Sequence, residues 1–378
     1  MSTVGVFRMQ YPWPSETFIG EQMRLLSRYR PVLMTRTRRG PIAGAFTAVS
    51  DEDPGNRRQR AFGFWPRVRH FRDVTPLRQV DLLHAHFGPD ATYVMALARE
   101  LDVPFLVTFH GFDVTVRRGW MLRHAPLWTL RYVLLEPQLK RAATTIIAVS
   151  QFLRQRLLER GYPEQKVVVH YIGVDTTQFV PAPDRGAERI VLNVARHTVK
   201  KGVETLLRAF QLIAHKHPGV RLVQVGSGSL SSQLQHLTAQ LGIADRVTFL
   251  GAQPHETVKV LMQQAEIFAL ASRTARNGDS ESLGIVCNEA SASGRPIVAT
   301  SHGGIPEAVR HGETGLLAPE GDAAGVAAHL DTLLADRGLG DEMGRRGREF
   351  ACDVFDLRTQ CGRLETLYDG VVNSARTW

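Results

Sequence analysis

Two glutamates eight positions apart, Glu281 and Glu289, stand in the stretch ESLGIVCNEASASGRPIVAT. A carboxylate accepts two hydroxyl hydrogen bonds, and bonds to a charged acceptor contribute about 1.5–3 kcal/mol. The pair therefore suits a polyhydroxylated ligand. A polar loop, SRTARNGDS, precedes it and Gly294 follows, which predicts a helix from about Glu281 to Gly294. At 1.5 Å per residue, eight positions span about 12 Å. That is about the separation of the hexose and the ribose in a nucleotide-sugar. The diphosphate between them would face the helix mouth, where unpaired N–H groups and partial positive charge gather. Two glutamates on a solvated helix face are the competing explanation. The small, apolar residues around this pair argue against it.

Cations come from a second segment, NVARHTVKKG, where Arg196 and Lys201 lie in a loop between a strand and a helix. A guanidinium fork and an ammonium would neutralise a diphosphate, most usefully as it leaves. In VGSGSL, Gly226 would let the backbone approach a ligand, although a tight turn explains the glycines equally well. In VTFHGFD, His110 would stand at the carboxyl end of a strand, where it could bond a sugar hydroxyl or steady charge on a transferring group. His84 and His86 share a strand face. No third metal ligand with suitable spacing accompanies them, so no metal is expected.

These residues need elements to hold them. Short apolar runs alternate with amphipathic stretches along the chain: VGVFRM, VLMTRT, VDLLHAHF, PFLVTFHG, TTIIAVS and VVVHYIGV, then RIVLNVAR, VRLVQVG, RVTFLG, IFALAS, RPIVATS and GLLAP. Such alternation predicts an α/β chain with parallel sheets covered on both faces. A longer helical stretch is expected over about 121–140 and a helix from Gln151. An Arg/Pro/Gly-rich segment of variable character covers about 37–79. The Pro/Asp/Gly-rich segment at about 175–188 reads as a linker between two halves of one architecture. Ligands of open α/β sheets bind at the carboxyl ends of the strands, so the cleft between two such domains is the default site.

The 378 residues suit two domains. No run approaches the ~18–20 apolar residues of a membrane span, and the N-terminus lacks the pattern of a secretory signal. Three cysteines without CxxC spacing suit reduced thiols and a cytoplasmic setting. The formal charge of +9 is uneven: residues 1–180 hold 25 Lys+Arg against 15 Asp+Glu, and the remainder 21 against 22. A basic half suits an anionic membrane surface or an acidic small molecule, or is simply solvated charge. Nucleic acid is not expected, because no matching motif appears.

Taken together, ESLGIVCNEASASGRPIVAT resembles the E-x7-E segment of the retaining GT-B glycosyltransferases of family GT4, and ARHTVKKG resembles their R-x4-K-G loop. TFHG, AVSQFLRQRL and GVDTTQF follow the same family in order and spacing, and SETFIGEQ resembles the bacterial exopolysaccharide branch of colanic acid and amylovoran type. The resemblance covers the chain from about residue 80 onward. It implies a GT-B fold: two Rossmann-like doubly wound parallel-sheet domains facing a central cleft. They would comprise an acceptor-side domain at 1–177, a nucleotide-sugar domain at 178–355, and a C-terminal helix at 356–378 packing back on the first. It implies a hexosyltransferase using a UDP- or GDP-sugar, without metal, on a saccharide or lipid-linked acceptor, cytoplasmic or peripheral on the inner membrane face. Glu289 would hold the ribose and Glu281 the donor sugar. The amides of Leu283, Gly284 and Ile285 would face the diphosphate or sugar. Arg196 and Lys201 would stabilise the leaving group, His110 would contact the sugar, and the loop at Gln253 would border the base. Many members carry a glycine-rich loop after the first strand, where this chain has YPWPSETF; amides near Ser15 and Glu16 would serve instead. Arg273 or Asp279 could also touch substrate. An epimerase or phosphorylase on the same fold, a dehydrogenase using VGSGSL, and a membrane-associated scaffold are the rival readings.

Overall fold

The computed structural model describes residues 1–13, 16–51, 57–124, 126–182 and 188–376. Thirteen strands are named in chain order. The first seven are β1 (Ser2–Tyr11), β2 (Tyr29–Arg38), β3 (Phe46–Asp51), β4 (Leu82–His86), β5 (Phe105–Phe109), β6 (Thr145–Ala148) and β7 (Val167–Val169). The other six are β8 (Arg189–Val194), β9 (Val220–Val225), β10 (Val247–Gly251), β11 (Ile267–Leu270), β12 (Ile297–Thr300) and β13 (Gly315–Ala318). They form two sheets, in the orders β3-β2-β1-β4-β5-β6-β7 and β10-β9-β8-β11-β12-β13. The named strands of each sheet pair in parallel. This is the doubly wound α/β organisation that the alternating apolar runs predict. Every residue of β4, β5, β11 and β12 is buried, which explains the largely apolar runs of β5, β11 and β12, while β4 buries His84 and His86 as well.

The chain divides into two compact units, Met1–Gly173 with Arg358–Trp378, and Val174–Leu357. In the first unit the period-two alternation of the strands separates two cores. Val4, Val6, Leu82, Leu106 and Ile147 point to one face, and Phe7, Leu83, Ala85 and Val107 to the other. The helix Leu357–Arg376 covers the former through Leu364, Tyr368, Val371 and Val372, spaced to form one apolar stripe. Among the described residues no helix is long and apolar enough to cross a membrane.

Two helices begin or stop where local chemistry dictates. Gln151–Glu159 starts as expected, its Ser150 Oγ accepting from the Leu153 amide at 3.0 Å. The stretch expected as one helix over 121–140 is instead two, Arg118–His124 and Leu127–Ala142. Pro126, extended at ψ 160°, stands immediately before the second. The variable segment 37–79 contains β3 and the helix Arg57–Phe64.

A second correction bears on the site. The helix expected from Glu281 runs only from Ile285 to Ala292, although it does stop at Gly294 (φ +70°). Gly284, at φ +79°, precedes the first turn, so the chain before it cannot continue the helix. Residues 281 and 282 pack against a glycine pair instead. A Cβ on Gly303 would lie 2.0 Å from the Glu281 carbonyl oxygen, and one on Gly304 would lie 2.0 Å from that of Ser282. The 12 Å estimate for Glu281 to Glu289 along a helix axis therefore does not apply.

Candidate active site

In the second sheet the strand order reverses between β8 and β11. At such a switch point the loops leaving the carboxyl ends of two neighbouring strands diverge and leave a crevice. The loop after β8 carries Arg196, Lys200 and Lys201; the loop after β11 runs from Ser272 to Glu281. The sheet thus brings together two segments about 80 residues apart. Gly202, at φ +59°, allows the contact: a Cβ there would lie 1.7 Å from the Ala271 carbonyl oxygen.

The Lys201 ammonium donates to Glu281 Oε2, and Lys200 Nζ donates to Asp279 Oδ1 at 3.0 Å. Glu281 is 8% exposed. Burial alone would raise the pKa of its carboxyl, but Lys201 and Lys200 outweigh that and bring it down to about 2. The Glu281 amide donates to His302 Nε2 at 3.2 Å, while His302 Nδ1 lies 2.9 Å from Glu320 Oε2. With Nε2 accepting from that amide, Nδ1 is the ring nitrogen that faces Glu320 as a donor. Glu320 also accepts from the Thr274 amide and hydroxyl, fastening the loop after β11.

Arg196 is exposed, and its guanidinium has no partner among the described residues. Among the described residues the amides of Leu283, Gly284 and Ile285 likewise donate to no acceptor. They stand at the start of the Ile285–Ala292 helix, where an anion is favoured. Glu289, one helical turn beyond Ile285, takes a contact from His255 Nε2 at 3.3 Å. His255, itself set edge-on to Phe179, escaped the sequence reading. Its only local signal was a polar residue just after β10, close to Gln253. Gln253 turns its own amide back to the Leu250 carbonyl at 2.6 Å. The glycines of VGSGSL pack closely on neighbouring backbone. A Cβ on Gly226 would meet the Ala195 carbonyl oxygen at 2.0 Å, and one on Gly228 would meet that of His197 at 2.6 Å. These glycines let one loop pack on the Arg196 loop.

In the first unit the order reverses between β1 and β4. Arg8 bridges the loops there, to Glu16 Oε2 at 2.7 Å and Oε1 at 2.8 Å and to Asp90 Oδ2 at 2.7 Å. The Glu16 amide, expected as a free phosphate donor, already donates to the Trp13 carbonyl at 3.0 Å. Ser15 lies outside the described residues. His110 Nε2 is 3.0 Å from His86 Nδ1, and its Nδ1 is enclosed without a partner. Burial, with His84 and Arg8 nearby, holds its pKa well below the ordinary value. That direction favours the neutral imidazole, which can both donate and accept a hydrogen bond. His84 is bonded on both ring nitrogens, to Tyr368 Oη and Thr108 Oγ1, each at 2.7 Å. Asp113 was also missed. Its carboxylate accepts from the amides of Gly88 and Gly111 at 3.0 and 2.9 Å and so ties the ends of β4 and β5 together.

Comparison with known proteins gives this architecture relatives. A family profile described as "Glycosyl transferases group 1" matches residues 175–350, and one described as "Glycosyltransferase Family 4" matches residues 19–178. WcaL of Escherichia coli K12, assigned by its name, provisionally, to colanic acid biosynthesis, is 34% identical over 262 residues. The match covers 68% of this chain and 62% of that protein, so the chain spans less than two thirds of that relative's length. A GDP-mannose-dependent alpha-(1-6)-phosphatidylinositol monomannoside mannosyltransferase of Mycolicibacterium smegmatis is 32% identical, covering 77% of each chain. Among solved structures, Anabaena HepE in complex with UDP and glucose superposes with a TM-score of 0.77 at 21% identity, covering 97% of this chain and 99% of that one. That likeness shows the fold.

Proposed function

The chain belongs to the group 1 glycosyl transferases with a family 4 N-terminal region, and we propose that it transfers a hexose from a nucleotide-diphosphate sugar, with retention at the anomeric carbon. The acceptor in this reading is a saccharide or lipid-linked saccharide, and the setting is polysaccharide or glycoconjugate biosynthesis. The names of the E. coli and mycobacterial relatives support that setting.

One observation carries the reading: unpartnered donors and a caged carboxylate meet at the β8/β11 switch point. Arg196 and the amides of Leu283, Gly284 and Ile285 offer N–H groups to an anion, and Lys201 stands beside them on Glu281. A diphosphate placed there would draw on Arg196 and Lys201, most strongly as the bond from the anomeric carbon to the diphosphate oxygen breaks. Glu281, held ionised, would accept from sugar hydroxyls, and Glu289, steadied by His255, from the ribose. The backbone near Gln253 would border the base, with Gly226 shaping the adjacent loop. In the first unit His110 would bond the sugar as a neutral imidazole. The acceptor hydroxyl would attack from the face the leaving group vacates, passing its proton to a donor phosphate oxygen. Two cationic side chains and a helix terminus would do the work of a metal. The acceptor would be met at an anionic membrane surface through the basic N-terminal half, with the enzyme in the cytoplasm.

A thermal-shift panel of UDP, GDP, ADP and their sugars tests the reading. The matching nucleotide at a hundred times its Kd should add about 2.7 kcal/mol of stability. No shift with any of them would sink it.

A further inference from the structure

The first unit displays apolar side chains that its own core does not use. Phe64 and Trp65 are 74% and 73% exposed, and Leu134 is 65% exposed. Trp120, Leu122 and Leu130 are exposed as well. Half of the described exposed large hydrophobics thus fall between residues 64 and 134, which marks a patch and not scatter. Three segments carry it: Arg57–Phe64 with Trp65, Arg118–His124, and Leu127–Ala142. They adjoin. Arg131 donates to the Phe64 carbonyl at 3.3 Å, and Arg118 donates to the Val133 carbonyl at 3.0 Å.

The charge on these segments has one sign. Residues 57–72 contain six arginines and no acidic residue. Residues 117–142 contain six Lys and Arg and one acid, Glu136. Glu136 is buried, 3.9 Å from Arg118 and 3.7 Å from Arg160. From outside these segments Glu100 lies 4.0 Å from Arg67. Arg57, Arg58, Arg60 and Arg123 are exposed.

We infer that this face of the N-terminal unit docks on an anionic phospholipid bilayer, with Phe64, Trp65, Trp120 and Leu134 entering the interfacial region and the arginines meeting lipid phosphates. Aromatic rings settle at headgroup level, and basic side chains around them add electrostatic attraction without any membrane span. An acidic protein partner would also meet the charge, but it gives no account of four bulky apolar side chains held in water beside it. The inference gives a location to the membrane contact proposed above and rests on that reading for its purpose.

The test is co-sedimentation of the full chain with vesicles of phosphatidylcholine alone and of phosphatidylcholine mixed with phosphatidylglycerol. The chain should pellet with the mixed vesicles and be partly released by salt. F64S/W65S should lower the bound fraction about tenfold and keep its salt sensitivity. R57E/R58E/R60E should abolish the preference for anionic lipid. All substituted side chains are exposed, and the nucleotide-induced thermal shift of each variant reports that the fold is intact. A parent that stays in the supernatant, equal binding to both vesicles, unaltered binding by both variants, or self-association through this face in sedimentation velocity overturns the inference. Vesicle binding needs no donor, so its failure is distinguishable from a failed nucleotide panel, which sinks the transferase reading instead.

Discussion

Replacing Lys201 by Met tests whether the buried pair at the switch point is an energetic unit. The Glu281 carboxylate would lose its bonded cation and retain Ser272 Oγ at 3.5 Å, with Lys200 engaged on Asp279. In the parent the carboxyl is held at about 2 against an ordinary 4.5, which corresponds to about 3 kcal/mol of stability. Its folded value lies below its unfolded one, so this contribution is present in full above the unfolded value and is lost as pH falls from there toward 2. Lys201→Met should therefore lose about 2–3 kcal/mol at neutral pH. The variant's stability should also fall much less on acidification than the parent's, because the acid-sensitive contribution is already gone. Urea unfolding at a series of pH values reads both effects. Adding Glu281→Leu to that variant should recover at least half of the lost stability, since an apolar pair often replaces a buried ion pair without cost. The double variant should still not transfer sugar. A single variant within about 0.5 kcal/mol of the parent, with the same acid dependence, would refute the reasoning.

Two further outcomes follow from the same loops. Arg196→Ala should lower kcat by about a hundredfold or more while nucleotide affinity, measured calorimetrically, changes far less; near-normal turnover would remove Arg196 from the leaving-group role. Gly202→Ala should destabilise by about 3 kcal/mol or more, because it places a Cβ 1.7 Å from the Ala271 carbonyl oxygen at positive φ. A melting temperature equal to the parent's would contradict the loop packing.

Much of the architecture was legible because its causes are local. Apolar runs such as TTIIAVS and RPIVATS are buried on both faces whatever their neighbours, so they declare parallel strands. Ser150 and Gly294 mark helix ends through the backbone groups they satisfy or the φ they permit. The loop positions of Arg196 and Lys201 follow from where a strand stops. Pro126 was equally local and was overlooked, which turned two helices into one.

The sequence by itself thus determined every named strand except β3, the order of the two halves and the loops that carry the cations. Only the tertiary structure decided the pairings. Lys201 meets Glu281 across 80 positions, His255 meets Glu289 across 34 and His86 meets His110 across 24. Such contacts depend on which strands are neighbours and where each loop leaves the sheet, and neither is encoded in spacing along the chain. The backbone of Glu281 lies outside the helix, which Gly284 closes at positive φ, and packs on Gly303 and Gly304, distant in sequence. Charge followed the same rule: burial and neighbouring charges, not residue type, favour the neutral form of His110 and the ionised form of Glu281.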